Sequence, residues 1–385
     1  MTHHQLRGAS AVVGVGLAGC GEAPGRTAME LIGAAAWNAV TDAGLKMTDI
    51  DGVFGVSAVH GMPSVTISEY LGIRPRYSDG SMIGGSSNVA HILQATMAIK
   101  AGLCSTALVV YGSNQKSASG RLVSSAAEFN PYEQPYKPRF PITAYALAAA
   151  RHMHQFGTTR RQLAEVAVAA RAWANLNPEA YMHGPLSVED VLNARMVCDP
   201  FGLFDCCLVT DGAGALVVVG RDRAKDFPKK PVYFLGGGMA HWHRSIMQMP
   251  DITVSAASES GPRAFEMAGM EPADIDVLEL YDAFTINTIL FLEDLGFCPK
   301  GEGGRFVEGG RIAPGGALPV NTNGGGLSCV HPGMYGTFIL VEAVRQLRGE
   351  AGDRQVKEPE TALVHGNGGV LSSQVTSIFG TEATL

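Results

Sequence analysis

No apolar run in the sequence approaches the roughly 20 residues that a helix needs to span a bilayer. The opening stretch, Met1 to Ser10, lacks the apolar core of a secretory signal. Basic residues are also in short supply: 29 Lys and Arg stand against 36 Asp and Glu, for a formal charge of −7. Phosphate backbones are bound mainly through Lys and Arg, so this balance argues against a nucleic-acid partner. Cysteine occurs at 7 positions, an odd number with no paired metal-ligand spacing, which fits a reducing compartment. These absences lead to the expectation of a cytoplasmic protein without membrane or nucleic-acid contacts, its cysteines packed as small core residues.

What is plentiful is glycine, 48 of 385 residues, or about 12% against an average near 7%. It falls in short clusters at Gly236–Gly238, Gly301–Gly304 and Gly324–Gly326. Such clusters mark tight turns and close backbone approaches.

Two regions echo each other. A helical pattern runs into the apolar stretch Gly52–Val56, and a second runs into Val277–Leu280. Further on, Gly84-Gly85-Ser86 opens a long helical pattern that feeds Thr106–Tyr111. Likewise Gly324-Gly325-Gly326 precedes a helical pattern that feeds Thr361–Val364. Continuous apolar strands of this kind suit sheets covered by helices on both faces. The expected organisation is α/β, with two β-α-β-α-β halves over residues 1–225 and 230–385. Residues 114–197 have no counterpart in the second half. They hold a Pro- and Tyr-rich irregular stretch (130–141) and a helical stretch from Arg160, and read as an inserted loop domain over the core.

Four stretches draw attention as chemistry. In Val330-His331-Pro332-Gly333-Met334-Tyr335-Gly336, proline suits a first helical turn, leaving His331 a capping residue and Tyr335 a core one. Alternatively, glycines before a helix gather donors around an anionic oxygen, and a histidine there supports an enolate. Four positions apart, His331 and Tyr335 would then share a helical face. Tyr281-Asp282-Ala283-Phe284 closes a strand, where α/β folds place catalytic groups, although a strand-end Tyr with an Asp cap is equally ordinary. His365-Gly366-Asn367-Gly368-Gly369 offers positive φ or close approach to a ligand. Asp211–Ala215, before an apolar strand, reads as structural.

Taken in order, these stretches resemble the thiolase superfamily across nearly the whole chain. Asp205–Leu216 resembles the segment ahead of that family's mid-chain strand. Tyr281-Asp282-Ala283-Phe284 falls where ordinary thiolases carry Asn-Glu-Ala-Phe and sterol-carrier-type thiolases His-Asp-Cys-Phe. Val330-His331-Pro332-Gly333 is similar to the Gly-His-Pro block, and His365–Gly369 to the C-terminal block of the sterol-carrier type. The resemblance implies a five-layered αβαβα core, a homodimer, acyl-CoA substrates and no tightly bound cofactor. CoA would enter as part of the substrate, with Cys207 and Gly368 as contacts to it.

The departures from the family are informative. A thiolase holds its acyl group on a cysteine at the start of the first half's long helix. That position is Gly85 here, or Ser86 with a one-residue shift, and Ser86 suits a helix N-cap. The second cysteine is missing too, with His365 and Ala283 in its two alternative places. Cys329, beside His331, reads as packing. What remains resembles the thiolase-like aldolases that shorten steroid side chains. Those cleave 17-hydroxy steroid acyl-CoAs to a 17-ketosteroid and propionyl-CoA, beside a small partner with a zinc ribbon and an OB fold. The resemblance implies that Tyr281 and Tyr335 are an acid/base pair and His331 an oxyanion donor, with Asp282 and His365 completing the site. A β-ketothiolase of unusual range and a non-catalytic acyl-CoA-binding scaffold are the alternatives.

Overall fold

The apolar runs fold as strands, and the glycine clusters as the turns between them. The computed structural model describes residues 5–119 and 131–385. Residues 120–130, within the expected insertion and including Asn130 of its Pro- and Tyr-rich stretch, lie outside the described residues, as do the first four.

The first half runs β1 (Ser10–Gly21), α1 (Ala28–Asp42), β2 (Gly52–Val56), α2 (Pro63–Leu71), β3 (Tyr77–Asp79), α3 (Ser87–Lys100) and β4 (Thr106–Ser113). The insertion follows with α4 (Gln115–Ser119), α5 (Ile142–Phe156), α6 (Arg160–Ala174), α7 (Val188–Asn193), β5 (Met196–Cys198) and β6 (Phe201–Gly202), before β7 (Asp211–Gly220). The second half contains β8 (Val232–His241), α8 (Ala257–Ala268), β9 (Val277–Leu280), α9 (Thr285–Asp294), α10 (Gly303–Phe306), α11 (Gly336–Arg348), β10 (Thr361–Gly368) and β11 (Ser373–Gly380).

Local chemistry explains several boundaries. Helix α1 opens on a capping box in which Thr27 and Glu30 satisfy each other's backbone N–H, and α6 opens on the same device with Thr159 and Gln162. Strands β4, β7, β10 and β11 are buried along their whole length, which accounts for their apolar or small residues everywhere but at Asp211, His365, Asn367 and Gln374.

The strand order is β3-β2-β4-β7-β1-β8-β11-β10-β9. The halves mirror each other about β1 and β8, which join antiparallel at Ala11–Tyr233 and Val12–Val232. In each half two parallel strands, β2/β4 and β9/β10, are followed by an antiparallel one, β7 or β11. The halves share a β-α-β-α-β-β core, one strand more than the sequence pattern suggested, and the first half adds α2 and the edge strand β3 beside β2. The sheet folds around α3 and α11, which touch each other and strands of both halves. Helix α1 covers the outer face of β1, β4 and β7, and α8 that of β8 and β11. The result is the five-layered αβαβα arrangement, with the N-terminal ends of α3 and α11 facing the ends of β9 and β10. Asp211 is structural: its carboxylate accepts from the N–H groups of Ala23, Lys116 and Ser117.

Candidate active site

Strand β9 ends at Leu280, so Tyr281 and Asp282 emerge at its C-terminal end, and the Tyr281 N–H donates to the His365 carbonyl on β10 at 3.0 Å. Tyr281 meets two further rings there. Its centroid lies 5.5 Å from that of His331 and 5.8 Å from that of Tyr335, and the latter two are 6.2 Å apart. All three side chains are buried.

The turn that presents His331 and Tyr335 differs from the expected helix. Gly325–Cys329 form a single π-helical turn, Val330 is extended, and Gly333 adopts a φ of 87°. Helix α11 begins only at Gly336, with Tyr335 as its N-cap. The left-handed Gly333, directly after Pro332, breaks the helical path. His331 and Tyr335 thus converge through a turn, not through a shared helical face.

The two phenols are wired differently. Tyr281 Oη accepts the Tyr335 backbone N–H at 3.2 Å, whereas Tyr335 Oη donates to Asn323 Oδ1 at 2.7 Å. Burial pushes both phenols well above their ordinary range, so both hold their protons at neutral pH. His331 is equally dry. Burial lowers its imidazole to about 4, and neither ring nitrogen has a partner among the described residues. It is a neutral ring with one free N–H donor, a group left costly to bury unless a ligand completes it.

Asp282 does not project among the rings. Its Oδ1 accepts from Gly326 N–H at 2.6 Å and its Oδ2 from Leu327 N–H at 3.4 Å, so it clamps the glycine turn that leads to His331. Burial raises its carboxyl to about 7. His365 is tied at both nitrogens, to Thr376 Oγ1 at 2.9 Å and Gln374 Oε1 at 2.8 Å, and burial lowers it to about 4. From Gln374 the network continues through Asn367 to the Tyr145 hydroxyl on α5. His365 is therefore placed to position β10 and β11, with no nitrogen left to assist a tyrosine. Gly368 is required for packing: a Cβ there would stand 1.8 Å from the Ile83 carbonyl oxygen. Cys207 lies beside the site, its N–H donating to Ala283 O at 2.9 Å, and burial drives its thiol up. Cys329 is buried, with Sγ 3.6 Å from Asn177 Nδ2.

Gly85 supplies the sharpest observation. A Cβ at this position would lie 2.2 Å from Tyr281 Cε2 and 2.4 Å from both Cζ and Oη. The Tyr281 ring fills the space that any side chain on residue 85 would need. Ser86 occupies the N-cap position of α3 without capping it; its hydroxyl instead meets Ile83 O at 3.0 Å and Ser373 Oγ at 2.7 Å. The sequence reading missed Asn323, which holds the Tyr335 proton. An Asn directly ahead of the glycine cluster was the available signal.

The second half matches the thiolase C-terminal domain-like family over residues 238–381. Along 380 residues the chain is 34% identical to an acetyl-CoA acetyltransferase of Methanothermobacter thermautotrophicus, covering 96% of this chain and 98% of that protein. It is 32% identical over 365 residues to the 17-hydroxy-3-oxo-4-pregnene-20-carboxyl-CoA lyase of Mycobacterium tuberculosis, covering 89% and 92%. The solved structure of an Ltp2–ChsH2(DUF35) aldolase superposes with a TM-score of 0.89 at 30% identity, over 98% of this chain and 99% of that one. With its duplicated five-layered fold and its strand-end tyrosine over a glycine, the chain belongs to the thiolase superfamily, in the thiolase-like branch that includes the steroid side-chain-cleaving aldolases.

Proposed function

We propose that this protein cleaves a β-hydroxyacyl-CoA by a retro-aldol reaction, and that the acyl group is a 17-hydroxy steroid side chain. The products would be a 17-ketosteroid and propionyl-CoA. One observation carries the reading: the Tyr281 ring stands where a nucleophilic side chain on residue 85 would have to stand. The reacting group at that place is a phenol, suited to moving protons and not to holding an acyl group.

In this mechanism both phenols begin protonated, and the oxygen of one takes the β-hydroxyl proton as its own proton passes on to the other. The Cα–Cβ bond breaks as the new ketone forms, and its electron pair passes into the thioester enolate. The free N–H of neutral His331 donates to the enolate oxygen, a preorganised donor in a water-poor pocket. The other phenol protonates Cα, so that the pair ends protonated as it began. Cys207 is proposed to border the pantetheine arm. The lyase and aldolase relatives support the substrate class, and the neighbour solved as an Ltp2–ChsH2(DUF35) aldolase supports a partner subunit; that this partner is a small zinc-ribbon protein, beside a homodimer, is part of the proposal.

The acetyltransferase relative favours a second reading, acyl transfer to free CoA. Mass-spectrometric product analysis separates the two. The protein, co-expressed with a zinc-ribbon partner, is given a 17-hydroxy steroid acyl-CoA or the matching β-ketoacyl-CoA, with and without free CoA. Ketone and propionyl-CoA formed without free CoA are expected. Cleavage of the β-keto substrate alone, and only with free CoA, would establish a thiolase; binding without turnover would establish a scaffold.

A further inference from the structure

Behind the tyrosine pair lies a buried polar cluster that the mechanism leaves unused. Glu279 sits on β9 two residues before Tyr281, fully buried. Its Oε1 is 3.1 Å from the Thr322 N–H and 2.8 Å from Thr322 Oγ1, and its Oε2 is buried without a partner among the described residues. The same Thr322 Oγ1 lies 2.8 Å from Glu342 Oε1 and accepts from Gln346 Nε2 at 3.0 Å. The Gln346 amide cannot be turned around, because its Oε1 accepts from Val356 N–H at 2.9 Å and Gln355 Nε2 at 3.1 Å.

Counting hydrogens in this cluster leaves one missing. Thr322 Oγ1 owns a single hydrogen yet lies at hydrogen-bond distance from two carboxyl oxygens. One of those contacts needs a hydrogen from the carboxyl itself, since two bare oxygens at that distance repel. Glu342 is gripped by Arg354 through Nε and Nη2, both at 2.9 Å, the forked contact of an ionised carboxylate. The extra proton therefore belongs to Glu279. The order is Glu279 Oε1–H to Thr322, Thr322 Oγ1–H to Glu342, and Glu342 to Arg354.

We infer that Glu279 is held as a neutral carboxylic acid and acts as a positioning residue for the tyrosine pair. The inference rests on Tyr281 and Tyr335 as the proton carriers. Glu279 stands on β9 two residues before Tyr281, which follows the strand's last residue, while Thr322 is followed directly by Asn323, which holds the Tyr335 hydroxyl. An ionised Glu279 would put a negative charge in the dry region where the enolate must form, and like charges there oppose each other. Kept neutral, it braces the turn without that penalty. Desolvation, followed by the neighbouring Glu342, also drives its proton affinity up.

The test uses the full-length protein. Infrared spectra in 2H2O should show protonated-carboxylic-acid carbonyl absorption near neutral pH, to which Asp282 also contributes, with the Glu279 component lost in Glu279→Gln. Because Gln mimics the neutral acid, that variant should keep kcat within about threefold of wild type. It should also lack the decline in rate expected of wild type as the pH rises and Glu279 ionises. An unchanged infrared band, or a folded Glu279→Gln protein that has lost more than about a hundredfold in kcat, would overturn the proposal. Should Glu279→Gln fail to fold, Thr322→Val serves in its place. Removing the bridging hydroxyl should shift the band, and an unmoved band would count against the assignment. The infrared signal does not depend on substrate, so a failed aldolase assay with the Glu279 component present would reject the retro-aldol reading alone.

Discussion

His331 and the two tyrosines are useful because burial removes their ordinary solution chemistry. A ring lowered to about 4 stays neutral throughout the physiological range, so cleavage should show no ionisation near the usual ~6.5 of histidine. A kcat/KM profile should instead stay level from pH 8 to 6 and fall only as the medium approaches the His331 value. His331→Ala should lower kcat by about 10²–10³, the cost of an oxyanion donor, with little change in substrate affinity. Tyr335→Phe should lower kcat by about 10²–10⁴, the range of a general acid or base. Full activity in the Phe variant would remove Tyr335 from the mechanism. These three residues were legible in the sequence because each sits in a short motif at the end of a strand or beside a glycine turn. His365 was legible as a residue but not in its role, since its partners Thr376 and Gln374 belong to the next strand and no local pattern reveals the pairing.

Secondary-structure elements position the rings through backbone contact. The turn before α3 is pressed against β10, where Gly368 abuts the Ile83 carbonyl, and against Tyr281 at Gly85. Gly85→Ala should displace Tyr281, costing about 1–3 kcal/mol as overpacking and most of the activity; thermal unfolding and kcat measured together check both. A Gly85→Cys protein should not gain acyl transfer, because the thiol must compete with the Tyr281 ring for the same space. The absence of a cysteine at residue 85 could be read from the sequence, but the packing of Tyr281 from the other half into that space could not, because that contact exists only once the halves are packed. Likewise, Pro332 was read as a helix start. A positive φ at Gly333 decided otherwise, and glycine by itself does not announce which φ it will take.

Across the whole molecule, three buried histidines, His91, His331 and His365, are each lowered to about 4. In the unfolded chain they bind protons near ~6.5. Their stabilisation is therefore present above that value and is lost as the pH falls toward 4, on the order of 3 kcal/mol for each. Asp282 runs the other way: raised to about 7 in the fold, it favours the native state in acid and loses that contribution as the pH climbs through 7. Urea midpoints should fall between pH 6.5 and 4.5, as judged from these histidine shifts. The fall should be steeper in Asp282→Asn, which lacks the opposing gain; an equal or shallower fall would show that Asp282 is already ionised in the fold. The duplication was visible in the repeated order of helix and strand. The closing strands β7 and β11 were not set apart as a repeat, because one follows a long insertion and the other a short turn.

The central claim, that Tyr281 has taken the place of an acyl-holding nucleophile, is tested most directly by intact-protein mass spectrometry. The protein is mixed with the β-hydroxyacyl-CoA, and separately with the matching β-ketoacyl-CoA, without free CoA. The account predicts an unmodified protein mass in both samples while the β-hydroxy substrate is consumed. A protein mass increased by one acyl group would contradict it.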